Sequence, residues 1–146
     1  MTIVECRART EWQALHAACE SALANPAVDA VIITHGTDTA EETGFLLDLT
    51  LPSPKPIVLV GAMRPADAVG ADGMRNFANA VKVASDPAAS GRGVMLVMGD
   101  AVLAARDARK AATSAIDAFR SFPRGPLARV SAARPDWVGP PHPGKE

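Results

Sequence analysis

Six consecutive residues, Thr34-His35-Gly36-Thr37-Asp38-Thr39, place three hydroxyls, an imidazole and a carboxylate directly after the apolar run VDAVII. Cleaving an amide with a hydroxyl nucleophile needs an acceptor for the hydroxyl proton. It also needs a group that orients that acceptor, and donors for the developing oxyanion. Thr37 supplies a hydroxyl at what reads as the N-terminal mouth of a helix, where unpaired backbone N–H groups favour negative charge. Asp38 beside it can accept a substrate ammonium group. Lys110, in the charged run RDARK, can act as a base in its neutral form, and Asp107 adds a carboxylate near the same strand end. Plainer readings fit the same residues. Thr37, Asp38 and Thr39 can simply cap the helix, and RDARK can be a solvated face. The turn can also bind an anion, although one glycine without a following lysine falls short of a phosphate loop. His35 reads as a packed, hydrogen-bonded residue rather than a base. Local pattern leaves these alternatives open.

The elements that must position these groups follow from periodicity. Residues 10–24 predict a helix with Trp12, Leu15, Cys19 and Leu23 near one face, opened by a Thr10–Gln13 capping box. Residues 28–34, VDAVIIT, read as a strand buried on both faces, the kind found in parallel sheets. Thr39 and Glu42 form a second capping box, and the helix after it runs through Phe45, Leu46 and Leu49. Residues 57–61, IVLVG, predict another buried strand. Asp72 is the expected cap of a helix that carries Phe77, Ala80, Val81 and Ala84 on one stripe. Residues 93–98 predict a third buried strand, with AVLAA extending it or pairing beside it.

Strands alternating with amphipathic helices imply βαβ units. The expected fold class is therefore α/β: a three-layer, open, mostly parallel sheet with helices on both faces, Rossmann- or flavodoxin-like. Ligands in such sheets sit beyond the carboxyl ends of strands. THGTDT, the GAMRP turn and GDAVLAARDARK all follow such ends. From residue 123 onward proline and glycine become dense, so residues 1–122 are expected to form the domain and 123–146 a linker or tail.

Composition narrows the partners. At 146 residues, 48% hydrophobic and 21% charged, the chain reads as one globular domain. A net charge of −1 and 4% aromatic residues give no reason to expect nucleic acid or an anionic membrane as partner. No apolar run approaches bilayer-spanning length, and MTIVECRART lacks the features of a secretory signal, so a cytoplasmic location is expected. Cys6 and Cys19 form no CxxC pair and read as thiols. His16, His35 and His142 lack metal-ligand spacing, so no metal site is expected.

Three segments carry a resemblance: VIITHGTDTAEETGFLLDLT, KPIVLVGAMRPADAVGADGMRNFANAVKVA, and GRGVMLVMGDAVLAARDARKAATSAIDAFRSFPRGPLARV. In this order, over roughly residues 28–130, they resemble the bacterial-type L-asparaginases of the asparaginase/glutaminase family. The resemblance implies hydrolysis of L-asparagine, with L-glutamine as a further substrate, to the acid and ammonia. It implies no cofactor and a homo-oligomer. Residue by residue, Thr37 matches the threonine of the family's second catalytic motif, and Asp38 the neighbour that binds the substrate α-amino group. Lys110 matches the lysine that works with that threonine. Gly36 matches a backbone contact to substrate, and Ala62, in GAMRP, a backbone carbonyl facing the amide.

The family's TGGTI-type motif, whose threonine is the usual nucleophile, does not occur, and there is no tyrosine to assist it. The family's C-terminal domain is not expected in this sequence either. The expectation is a truncated asparaginase domain, weak or inactive as an isolated chain. With the family's first strand absent, an unpaired sheet edge is expected, leaving the chain marginal or self-associating. The alternative is a non-catalytic amino-acid-binding or interaction remnant of the fold. A flavodoxin-like nucleotide binder is disfavoured by the lack of a glycine-rich phosphate turn.

Overall fold

Short β-branched runs flanked by helices assemble as the periodicity predicts, and the computed structural model describes residues 2–6 and 11–141. The first strands are β1 (Thr2–Cys6), β2 (Val31–His35), β3 (Ile57–Val60) and β4 (Val94–Met98). Then come β5 (Ala101–Ala104), β6 (Ala108–Lys110), β7 (Phe119–Ser121), β8 (Ala128–Val130) and β9 (Pro135–Trp137). The helices are α1 (Trp12–Ala24), α2 (Ala40–Thr50) and α3 (Gly73–Ala84). Seven strands form one sheet in the order β1-β2-β3-β4-β5-β8-β9, while β6 and β7 pair separately.

Strands β1 to β4 are parallel, whereas β4–β5, β5–β8 and β8–β9 are antiparallel. The sheet is thus mixed. Parallel strands need a crossover of a dozen or more residues, and Gly99-Asp100 between β4 and β5 leaves room only for a hairpin turn.

Alternation along the strands builds two cores. Val31, Ile33, Ile57, Leu59 and Leu96 pack with Leu15 and Cys19 of α1 and Leu47 of α2. Ile32, Val58, Met95 and Val97 face the other way, onto Ala80, Val83 and Ala84 of α3. This is the expected three-layer arrangement. Burying one such aliphatic side chain fully contributes about 1.5–3 kcal/mol, so these strands, rather than the short β6–β7 hairpin, dominate the fold.

Two expectations need correction. The segment read as a linker or tail from residue 123 supplies β8 and β9, and Leu127, Ala128 and Val130 are buried. Arg92 secures this stretch: its guanidinium lies 4.2 Å over the Trp137 ring and donates to Gly139 O at 2.9 Å. The expected unpaired edge at β2 is occupied, because Thr2–Cys6 pairs with Val31–His35 over five positions. The expected helix after Thr39 forms as α2, which buries Ala40, Thr43, Gly44, Leu47 and Asp48 and leaves Phe45 and Leu49 exposed. A small residue sets that face: a Cβ on Gly44 would lie 2.9 Å from Ala105 Cβ.

The Thr39–Glu42 capping box does not operate as read. Thr39 is the N-cap of α2 without a side-chain cap bond. Thr10 lies outside the described residues, and the N-cap of α1 is Glu11. Among the described residues, no helix is long and apolar enough to cross a membrane.

Candidate active site

The parallel strands deliver their C-terminal loops to one end of the sheet, and β6 meets them there. Lys110 Nζ, at the end of β6, donates to Thr37 Oγ1 at 2.9 Å and to Asp38 Oδ1 at 2.6 Å. Residues 72 and 73 apart in sequence thus meet around one ammonium group. Its side chain is 18% exposed, whereas that of Asp38 is 94% exposed. The carboxylate therefore faces solvent, open to a second cation.

The loop after β3 packs tightly under Thr37. A Cβ on Gly61 would lie 2.7 Å from His35 O and 3.2 Å from Thr37 Cγ2, so glycine is required by close approach. Ala62 follows directly and is exposed. Gly36 is exposed too, and a Cβ built there meets nothing within 4 Å. The structure therefore brings Thr37, Asp38 and Lys110 into contact and places Gly36 and Ala62 at the adjoining strand ends. Asp107 is not part of this group; it pairs with Arg124 at 3.6 Å. His35 is buried, with Nδ1 donating to Gly36 O at 2.6 Å because a carbonyl can only accept. That bond ties its ring into the turn.

Asp72 does something the sequence did not suggest. It is the N-cap residue of α3, yet its carboxylate makes no cap bond. Instead it accepts from Met63 N (3.0 Å), Arg64 N (2.9 Å) and Asn76 Nδ2 (2.9 Å). Asn76 also donates to Gly61 O and accepts from Gly99 N, each at 3.0 Å. The loops after β3 and β4 are thereby fastened to one turn of α3. Burial raises the Asp72 pKa, but the Met63 and Arg64 amides and Asn76 outweigh it and hold the carboxyl below its ordinary range.

Lys110 lowers the Asp38 pKa from its ordinary 3.8, through the hydrogen bond first and charge second. A depressed carboxyl pKa means the pairing is complete above the ordinary value and is lost as pH falls through the lower folded value. Titrating the Asp38 carboxyl by NMR should give a midpoint below 3.8, and Lys110→Met should return it to the ordinary range. An unchanged midpoint in the variant would show that another group holds Asp38.

Two contacts were missed by sequence reasoning. Glu41 Oε2 accepts the Lys110 backbone N–H at 2.6 Å. Asp48, with its side chain 2% exposed, accepts Val94 N and Arg106 Nε at 2.9 and 2.8 Å, with Arg106 Nη2 closing the pair. Among the described residues, no group of three or more His, Cys, Asp and Glu could hold a metal ion.

The Thr–Lys–Asp group stands at the strand ends of a three-layer α/β sheet. Residues 7–142 match the family profile described as asparaginase, N-terminal. The chain belongs to the asparaginase family. It is 47% identical over 125 residues to a protein named probable periplasmic L-asparaginase from Haemophilus influenzae, covering 86% of this chain and 34% of that one. It is 49% identical over 114 residues to the glutaminase-asparaginase of Pseudomonas aeruginosa, covering 78% and 31%. The chain thus spans about a third of the length of these relatives. A crystal structure of a probable cytoplasmic L-asparaginase from Campylobacter jejuni superposes with a TM-score of 0.86 at 39% identity, covering 90% of this chain and 42% of that one.

Proposed function

We propose that this chain carries the Thr–Lys–Asp half of an asparaginase active site and acts on the side-chain amide of L-asparagine, with L-glutamine the second candidate. The observation that carries this is Lys110 Nζ bridging Thr37 Oγ1 and Asp38 Oδ1. Thr37 Oγ1, or a water it orients, attacks the amide carbonyl. Lys110 Nζ takes the proton released by the attacking oxygen and passes it to the amide nitrogen as the C–N bond breaks and ammonia leaves. Where Thr37 has attacked, water then hydrolyses the Thr37 ester, releasing the acid and restoring the hydroxyl. Asp38 holds the substrate ammonium, and Gly36 and the Ala62 carbonyl line the amide's approach.

Lys110 needs a lone pair to accept that proton. A substrate ammonium arriving at the exposed Asp38 carboxylate competes with Lys110 for the same oxygens. Substrate binding and readiness of the base are therefore linked through one side chain. No cofactor enters these steps.

The test is ammonia release from L-asparagine and L-glutamine by the purified chain, with Thr37→Ala as control. Release that disappears in the variant supports the reading. No release, with a thermal shift on adding L-aspartate, supports an amino-acid-binding role instead. Self-association belongs to the same proposal, supported by the exposed Phe45 and Leu49 one turn apart on α2, and size-exclusion chromatography reads it. A cytoplasmic location is proposed from the Campylobacter jejuni neighbour's name. The periplasmic name of the Haemophilus influenzae relative makes cell fractionation its test.

A further inference from the structure

Lys110 lies in one sheet, and Thr37 lies in the turn that follows a strand of the other. Lys110 ends β6, a three-residue strand paired with β7, while Thr37 and Asp38 lead from β2 of the main sheet into α2. No ladder is shared between the two sheets to hold them in register. A lysine side chain is a flexible four-carbon stem, so its amine finds one place only if its backbone is held.

Glu41 supplies that hold. It lies in the first turn of α2, three residues after Asp38, where a carboxylate is favoured by the helix dipole. Its Oε2 accepts the Lys110 backbone N–H at 2.6 Å, a close contact in which the acceptor carries charge. We propose that Glu41 is a positioning residue, clamping the Lys110 backbone to the mouth of α2 so that Nζ meets Thr37 and Asp38 together. This rests on reading Lys110 as the proton acceptor. The contacts close a loop: α2 to Glu41, Glu41 to Lys110 N, Lys110 Nζ to Thr37 and Asp38, and back into α2. The neighbouring charges on the Lys110 segment are engaged elsewhere. Asp107 pairs with Arg124, and Arg109 Nη1 donates to Ala108 O at 2.7 Å.

The test uses the purified chain with Glu41→Ala, Glu41→Asp and Glu41→Gln. Competitive acetylation at fixed pH, read by mass spectrometry with Lys55 and Lys82 as internal references, reports how closely the Lys110 amine is held. Ala removes the acceptor, and Asp keeps the charge but falls short by one methylene. Both should raise Lys110 acetylation about tenfold, the factor matching loss of a hydrogen bond to a charged group. Gln keeps an acceptor at the same length and should restore acetylation to within about twofold of the parent.

In ammonia release, Glu41→Ala should lower kcat about tenfold with KM within about twofold, because Asp38 still receives the substrate ammonium. Unchanged Lys110 acetylation in Glu41→Asp, or a Gln variant as exposed as the Ala variant, overturns the proposal. If Glu41→Ala does not fold by circular dichroism, the Asp and Gln variants decide. Absence of ammonia release from the parent chain counts against the reaction assigned to the site, whereas acetylation alone decides the clamp.

Discussion

On the proposed reaction, Lys110→Met is expected to lower ammonia release from L-asparagine by roughly a hundred- to ten-thousandfold, the range contributed by a positioned proton acceptor. Methionine is similar in length to lysine but can neither take the proton nor bind Thr37 and Asp38. The contacts at 2.9 and 2.6 Å are lost together. Adding Thr37→Ala to this variant should change the rate little further, because groups that act as one unit are not additive. Steady-state release by the two single variants and the double variant makes the comparison. A double-variant loss equal to the product of the single losses would mean that Thr37 and Lys110 act independently, against the mechanism.

The largest effect on stability is expected at Asp48. Its carboxylate is buried on the inner face of α2 and satisfies both the first amide of β4 and the Arg106 guanidinium. Asp48→Ala leaves Val94 N without this acceptor and Arg106 without this counter-charge. Because Arg106 is partly solvent-exposed, the loss is that of hydrogen bonds to a buried charged acceptor, about 1.5–3 kcal/mol. For a chain of this size the melting temperature should fall by roughly 5–10 °C. Asp48→Asn keeps an acceptor for Val94 N and should lose visibly less. Thermal and urea unfolding of the two variants test this, and equal losses would place the whole effect in the charge on Arg106.

The strands β2, β3 and β4 were legible because each is built on a short continuous apolar run, and two-sided burial admits little else. Strands β8 and β9 were not legible. Each is three residues long, set among prolines and glycines, and held by neighbours such as Arg92 that no local pattern links to them. The capping residues show a related limit. Asp72 has the right type and place for a cap, yet the amides of Met63 and Arg64 compete successfully for its oxygens. Asp48 looks like one more polar residue on an amphipathic helix until Arg106, far along the chain, is brought to it. Thr37, Asp38 and Lys110 came from resemblance, since spacing alone left a helix cap equally open. Glu41 lay within the same motif, but its partner is a backbone amide, and side-chain type carries no signal for that.

Helix α2 is fastened along its whole length: by Glu41 to β6, by Thr43 to Trp12, and by Asp48 to β4 and Arg106. Helix termini ordinarily fray, opening locally at almost no free-energy cost. Here the terminal turn that carries Thr37 and Asp38 at its mouth has no independent freedom to do so. Departures from the working arrangement must then involve α2 and the β6–β7 hairpin opening as one cooperative unit, making the site rarely but wholly disassembled rather than continually loose.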